Sequence, residues 1–329
     1  MFDTVKISTP FFLTEHEEKR IKWTRINSTR QKKSGRGTTY FRTLEGKKEG
    51  DPYILYVSNE KTGQSWLKVE VSIPKLLRGS NVYEISESDL RNFFIFLRKI
   101  LSVKLKLPVS RIPHVEQWEV TKLHVCKNFN VGNHVQHYLK ALSCMHRPRY
   151  QTKSINAKGS MEIETVYWEA GRRRQKAYDK EAEIRKNIKC KKKHLRRANG
   201  ILRYELELNR AEIRQQSNFR KAKDILNANF AREVLQRRLG ELGVNRPIQA
   251  SSIYSFIERI HRSKLSNKQQ TSLIAFISEL YLFGEKACKK RYPHSSFHRN
   301  YRKLKEILNM EKIVFTEINL PPLEVKCTP

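Results

Sequence analysis

Acidic residues, paired cysteines, long apolar runs and nucleotide-binding loops are scarce or missing in this chain of 329 residues. The five cysteines, Cys126, Cys144, Cys190, Cys288 and Cys327, are odd in number, scattered and never form a CxxC pair. That argues against a disulfide framework or a structural zinc site. No apolar run approaches the roughly 18 residues of a membrane span, and no amphipathic anchor stands apart from ordinary core helices. A membrane partner is therefore not expected. There is no GxxxxGK[ST] loop for an ATP-driven helicase, and neither GxSxG nor HExxH occurs. The segment Met1-Phe2-Asp3-Thr4-Val5-Lys6-Ile7 lacks the basic start and apolar core of a signal peptide, so a reducing cytoplasm is the expected compartment.

What the chain has in excess is positive charge. Lys and Arg number 66 against 33 Asp and Glu, a formal charge of +33 spread along the whole length. Such a surplus repels itself unless a polyanion neutralises it, and nucleic acid is the commonest such partner. Hydrophobic residues at 38% and aromatics at 10% are enough for a real core.

Periodicity predicts an α+β fold: an antiparallel or mixed sheet domain with packed helices over residues 1–210, then a helical C-terminal region over 211–329, DNA-binding or accessory in role. Strands are expected at Thr4–Ser8, Tyr53–Val57 and Trp66–Ile73, where Leu67, Val69, Val71 and Ile73 alternate with Lys68, Glu70 and Ser72. Arg25–Gly50 reads as a mobile basic loop, serving as a DNA clamp or simply as a solvated hairpin excursion. Ser86-Glu87-Ser88-Asp89 opens a helix whose core stripe, Leu90, Phe93, Phe94, Leu97, Ile100 and Leu101, runs until Pro108. Glu116–Val125 is expected as a strand with Trp118, Val120, Lys122 and His124 on one face, and a helix from about Gly132 to Met145 follows. Beyond Asn209 the pattern predicts a long helix over Ala211–Leu239, a break at Gly240–Pro247, and helices at Ser251–Ile260, Lys268–Cys288 and Ser296–Asn309. The apolar stretches Ile313–Phe315 and Leu320–Leu323 are expected to pack back on the body.

Cleaving a phosphodiester without consuming energy needs a nucleophile, a group that screens phosphate charge and usually a metal. In Lys176-Ala177-Tyr178-Asp179-Lys180 an extended backbone would point Lys176, Tyr178 and Lys180 the same way, favouring phenolate and phosphate together. A packed strand tyrosine is the bland alternative. Glu205 and Glu207 are expected to share a strand face with Arg203, over Tyr204, Leu206 and Leu208 on the other face, and Glu162 with Glu164 forms a similar pair. Carboxylates suit Mg²⁺ or Mn²⁺, although solvated cross-strand pairs would look the same. His124, between Leu123 and Val125, is a candidate ligand or a satisfied structural histidine. His134 and His137 are expected at the surface. No His-hydrophobe-His triplet occurs.

Four blocks, in order, resemble the phage and plasmid replication proteins of the gene II/X family, the filamentous-phage type of rolling-circle initiator. They are Met1–Val5 leading to Pro10-Phe11; Val69–Tyr83, with its strand, Pro-x-Lys and Gly-x-Asn-Val pattern; Glu164–Trp168 followed by Ala177–Glu183; and Leu202-Arg203-Tyr204-Glu205. A looser similarity runs through the C-terminal helices. His124 stands where the phage proteins carry an acidic residue.

The resemblance implies a site-specific DNA endonuclease and strand transferase that nicks and rejoins an origin through a 5′-phosphotyrosine. It makes Tyr178 the nucleophile, with Lys176 and Lys180 stabilising phosphate, and a subset of His124, Glu164, Glu183 and Glu205 holding Mg²⁺ or Mn²⁺. Arg203 would orient Glu205 or grip phosphate, and Arg172, Arg173 and Arg174 would contact DNA. Partners would be the double-stranded replication origin, its exposed single strand, and a host helicase and polymerase. A non-catalytic origin-binding protein and an RNA-binding accessory factor are the other classes the residues permit.

Overall fold

The computed structural model describes residues 1–30, 38–46, 48–143, 145, 147, 149–160, 162–186, 190–218, 220–245, 248–249, 253–310, 313 and 319–325. In chain order the elements are β1 (Phe2–Pro10), α1 (Glu15–Arg20), β2 (Arg25–Arg30), β3 (Thr38–Leu44), β4 (Tyr53–Asn59), β5 (Ser65–Ser72), α2 (Ile73–Arg78), α3 (Glu87–Leu105), β6 (Glu119–Asn130), α4 (Val135–Ser143), β7 (Gln151–Asn156), β8 (Ile163–Ala170), β9 (Arg173–Asp179), α5 (Lys180–Arg185), α6 (Lys192–Ala198) and β10 (Ile201–Asn209). There follow α7 (Arg210–Gln216), α8 (Ala222–Ile225), α9 (Ala228–Leu242), β11 (Ile248–Gln249), α10 (Ile253–His261), α11 (Asn267–Arg291), α12 (His294–Leu308) and β12 (Asn319–Leu320). The fold is α+β, as expected: an antiparallel sheet of ten strands with packed helices, then a helical C-terminal region.

The chain divides into two compact units that interleave in sequence. One holds Met1–Asn128, Lys191–Arg197 and Glu205–Leu235; the other holds Phe129–Cys190, Ala198–Tyr204 and Gln236–Pro329.

In the first unit the strand order is β2-β3-β4-β5-β1-β6, followed by the second half of β10. Alternation works here as anticipated. Val5 and Ile7 of β1 and Leu67, Val69 and Val71 of β5 are buried, while Lys6 bonds Glu70 across the strands at 3.2 Å on the opposite face. Helix α3 starts at Ser86, whose side chain accepts from the Asp89 N–H while the Asp89 carboxylate accepts from the Ser86 N–H. Leu90, Phe93, Leu97, Leu101 and Leu105 then face the core at helical spacing.

Two expectations in this unit are corrected. The segment read as a mobile basic loop contains two paired strands, from Arg25↔Thr43 to Arg30↔Thr38, among its described residues; 31–37 and 47 lie outside them. In β6, Lys6 faces Lys122 but Ile7 faces Val120, one residue too far along, so Thr121 is the extra residue of a β-bulge. The bulge reverses the alternation. Val120 joins Leu123 and Val125 on the buried side and leaves the face shared by Lys122 and His124. Trp118, also grouped with that face, precedes the strand and is buried at the end of a 3₁₀ turn.

The long helix expected over Ala211–Leu239 is three helices. Lys221 bridges to Glu119, the Ala222 N–H donates to the Trp118 carbonyl at 2.8 Å, and Asn227 restarts the helix by accepting from the Phe230 N–H at 2.9 Å. Helix α9 passes through Gly240, where a break was expected, and ends at Leu242.

In the second unit the first half of β10 is followed by β9-β8-β7. Strands β8 and β9 are joined by Gly171-Arg172, with Gly171 at φ +59° as a two-residue hairpin turn requires. Helix α4 buries Val135, Tyr138, Leu139 and Leu142, as its spacing predicts. The C-terminal helices stand close to their expected bounds, with a kink in α11 at Gly284 (φ 77°, ψ 165°). Ile313, Leu320 and Leu323 are buried, and Pro321 accepts a hydrogen bond from the Tyr138 hydroxyl at 2.7 Å, so the tail does pack back. No helix among the described residues is long and apolar enough to cross a membrane.

Candidate active site

Strand β10 is buried on both faces, so the charged row anticipated on it is an interior one. Glu205 is 2% exposed and Arg203 1% exposed. Charged groups this deep persist only with partners. Glu205 has one in the first unit: its Oε1 lies 2.9 Å from Nδ1 of His124. The other imidazole nitrogen, Nε2, is buried without a hydrogen-bond partner and points toward Oε2 of Glu207, 4.0 Å away. Glu207 also pairs with Lys122 at 3.5 Å. The bulge at Thr121 keeps His124 and Lys122 on this face, two residues apart, opposite two glutamates two residues apart. His124 and Glu205 are thus brought together, and Glu207 joins them.

Arg203 belongs to the second unit. Its side chain lies in the interior, not on a solvent face. Its neighbour Tyr204 is fully buried, donates to Oε1 of Gln175 at 2.5 Å, and is pushed by burial far above the ordinary tyrosine range. It stays protonated and is unsuited to act as a nucleophile.

The second unit also holds an open cleft of about 180 Å³ lined by Glu164, Thr165, Tyr167, Lys176, Tyr178, Asp179, Glu183 and Lys186. Thr165 faces Tyr178, and Tyr167 faces Lys176, across the β8–β9 pair, so these four share one face by strand geometry. The opposite face, with Val166, Trp168 and Ala177, is core. Tyr178 is 5% exposed. The ammonium of Lys176 is 5.1 Å from its ring centroid and that of Lys180 5.7 Å, on one tyrosine.

Lys180 does not extend the strand. It is the first residue of α5, fully buried, and donates to Oε2 of Glu183 at 2.7 Å. Lys176, Tyr178 and Lys180 are therefore assembled as anticipated, but through a strand-to-helix turn. Asp179 caps that helix by accepting from the Glu181 and Ala182 N–H groups. Burial, with Glu181 and Glu162 nearby, raises its carboxyl above the usual aspartate range despite those bonds. Asp179 was not singled out in the sequence, although an Asp between a strand and a helix is a recognisable cap.

Glu164 and Glu183 both border the cleft; Glu164 pairs with Lys186. Arg172, Arg173 and Arg174 are exposed at the β8–β9 turn, where Arg174 bonds Glu169 at 2.8 Å. His134 is exposed and His137 half-buried. Among the described residues, no group of three or more His, Cys, Asp or Glu side chains is spaced to close round a metal ion. The imidazole of His124 has Glu205 at Nδ1 and Glu207 4.0 Å from its Nε2, and imidazole and carboxylate are donor types that divalent cations accept.

The cleft thus sets a tyrosine among lysines at a strand-to-helix turn in a strongly basic chain. The chain belongs to the family defined by the N-terminal part of the phage gene II replication-associated protein, whose model matches residues 1–234. It is accordingly a replication initiator of the phage type. No curated protein and no solved structure matches it.

Proposed function

We propose that the protein initiates rolling-circle replication by nicking and rejoining its double-stranded origin through a 5′-phosphotyrosine on Tyr178. The observation that carries this reading is the pair of ammonium groups, Lys176 and Lys180, set about a tyrosine that lines an open cleft. Their charge favours the phenolate and opposes the repulsion between phenolate and phosphate. The phenolic oxygen attacks the phosphorus, the bond to the 3′ oxygen breaks, and the departing oxygen takes a proton as a 3′-hydroxyl able to prime a host polymerase. One phosphate ester replaces another, so the reversal that reseals the strand needs no external energy.

His124, Glu205 and Glu207 of the first unit are the donors we assign to a divalent cation, Mg²⁺ or Mn²⁺; Glu164 and Glu183 belong to the cleft of the second unit. A cation held by such groups supplies Lewis-acid polarisation of a phosphoryl oxygen. Arg172, Arg173 and Arg174 hold the backbone of the exposed single strand, which a host helicase would lengthen. The work falls in the cytoplasm of the host cell.

The test is the Tyr178→Phe protein with supercoiled plasmid carrying the cognate origin. Nicking is expected to vanish while binding persists, and mass spectrometry of wild-type protein trapped on an oligonucleotide is expected to find the nucleotide on Tyr178. An active Tyr178→Phe enzyme, or an adduct on Tyr167, sinks the assignment. Origin binding by a wild-type protein that never nicks would favour the non-catalytic reading.

A further inference from the structure

The family match ends at residue 234, yet α10, α11 and α12 build a core of their own from Phe256, Ile260, Phe276, Ile277, Phe297 and Leu304. We propose that this helical module reads duplex DNA, with α12 laid in the major groove; the idea deepens the reading above by naming the surface that would recognise the origin.

The kink at Gly284 detaches the end of α11 as a short helix over 285–291. Tyr292 and Pro293 turn the chain, and α12 follows. A short helix, a tight turn and a longer helix form the arrangement in which the second helix enters a groove. Helix α12 is held firmly for such a role. Phe297 packs edge-on against Phe276 at 5.5 Å between centroids, and Arg259 donates to the Leu308 carbonyl at 2.9 Å. Its 15 residues span about 22 Å, and the groove is about 12 Å wide, enough to admit a helix.

The face that α12 turns outward carries the chemistry. His294, Ser295, His298, Arg299 and Arg302 are exposed and follow one helical stripe, with Glu306 the sole carboxylate on it. No acidic residue lies between Glu285 and Glu306, a stretch containing Lys289, Lys290, Arg291 and Lys303 besides the two arginines. Among the described residues neither Arg299 nor Arg302 has an ion pair. Arginine matches the O6 and N7 edge of guanine with two hydrogen bonds, and such pairs discriminate between bases. Because the stripe contains no apolar side chain, a lipid bilayer or a greasy protein groove is a poor complement.

The experiment uses the full chain carrying Tyr178→Phe, so that binding is read without any nicking. Selection from a pool of random-sequence duplexes should return a consensus. Against that duplex, Arg299→Ala with Arg302→Ala is expected to bind about tenfold or more weakly, while affinity for a single strand stays within about twofold. Arg302→Lys keeps the charge and should lose discrimination while retaining random-duplex binding. Unchanged thermal unfolding of each variant excludes misfolding as the cause. Absence of any consensus overturns the proposal, as does an equal loss on selected and random duplex, which would make the arginines mere phosphate contacts. A failure here leaves the Tyr178 adduct unaffected, and a missing adduct leaves these binding ratios intact.

Discussion

The ammonium of Lys180 is fully buried and donates to Oε2 of Glu183 at 2.7 Å, while Glu183 itself is 40% exposed. The pair is asymmetric. Lys180→Met keeps the packed stem and leaves Glu183 to water, so stability should change by less than about 1 kcal/mol. Losing a preorganised cation beside Tyr178 should nonetheless slow nicking by about a hundredfold. Urea unfolding and single-turnover nicking separate the two effects; a large loss of stability with normal chemistry would reassign Lys180 to structure.

His124 has the reverse character. His124→Ala removes one hydrogen bond to the deeply buried Glu205 carboxylate, and a lost hydrogen bond to a charged group costs about 1.5–3 kcal/mol. Titration of Mn²⁺ into the variant should give affinity at least about tenfold below that of wild type, since a ligand is gone. Unaltered Mn²⁺ binding would remove His124 from the ligand set.

The arginines should sort by burial. Replacing Arg172, Arg173 and Arg174 by Ala should weaken single-strand binding and flatten its salt dependence by roughly 0.7 per lost phosphate contact. Arg203→Ala should lower the unfolding midpoint and leave that slope unchanged, because its side chain is interior. Anisotropy across a salt series checks both.

Glu84 gives an acid-stability test. Burial alone would raise its carboxyl, but hydrogen bonds from Lys127 at 2.8 Å and the Asn128 N–H at 2.7 Å, with the Lys127 charge, outweigh burial and hold it below the ordinary glutamate range. A depressed folded-state value means that the stabilisation is present above the unfolded value and lost as pH falls through the folded one. Glu84→Gln should therefore unfold more readily at neutral pH and lose less stability on acidification than wild type. Equal slopes in urea midpoint against pH would contradict this.

The legible parts of the fold were those where one side of an element is wet. Strands β1 and β5 and helix α3 each bury one face, so periodicity revealed them. Strand β10 was located correctly, but alternation misjudged Arg203 and Glu205 because both of its faces are covered. The face carried by Val120 was misread since a bulge is set by pairing with β1, which local sequence does not encode. The helix breaks at 217–227 likewise come from distant partners, Trp118 and Glu119. In the cleft, the Lys176, Tyr178 and Lys180 spacing was readable. Asp179 was visible in principle as a cap, whereas Glu207 was seen only as a strand neighbour because its approach to His124 depends on register.

The interleaving of the two units constrains how the molecule can be made. Residues 205–235 complete the unit begun at Met1, so a nascent chain released from the ribosome before them offers His124 without Glu205 or Glu207. Domains that fold as they emerge normally do so in N-terminal order. Here the first to start must wait for most of the other to be synthesised, and a gene truncated near residue 128 would encode a sheet with an open, unpaired border instead of a smaller working protein.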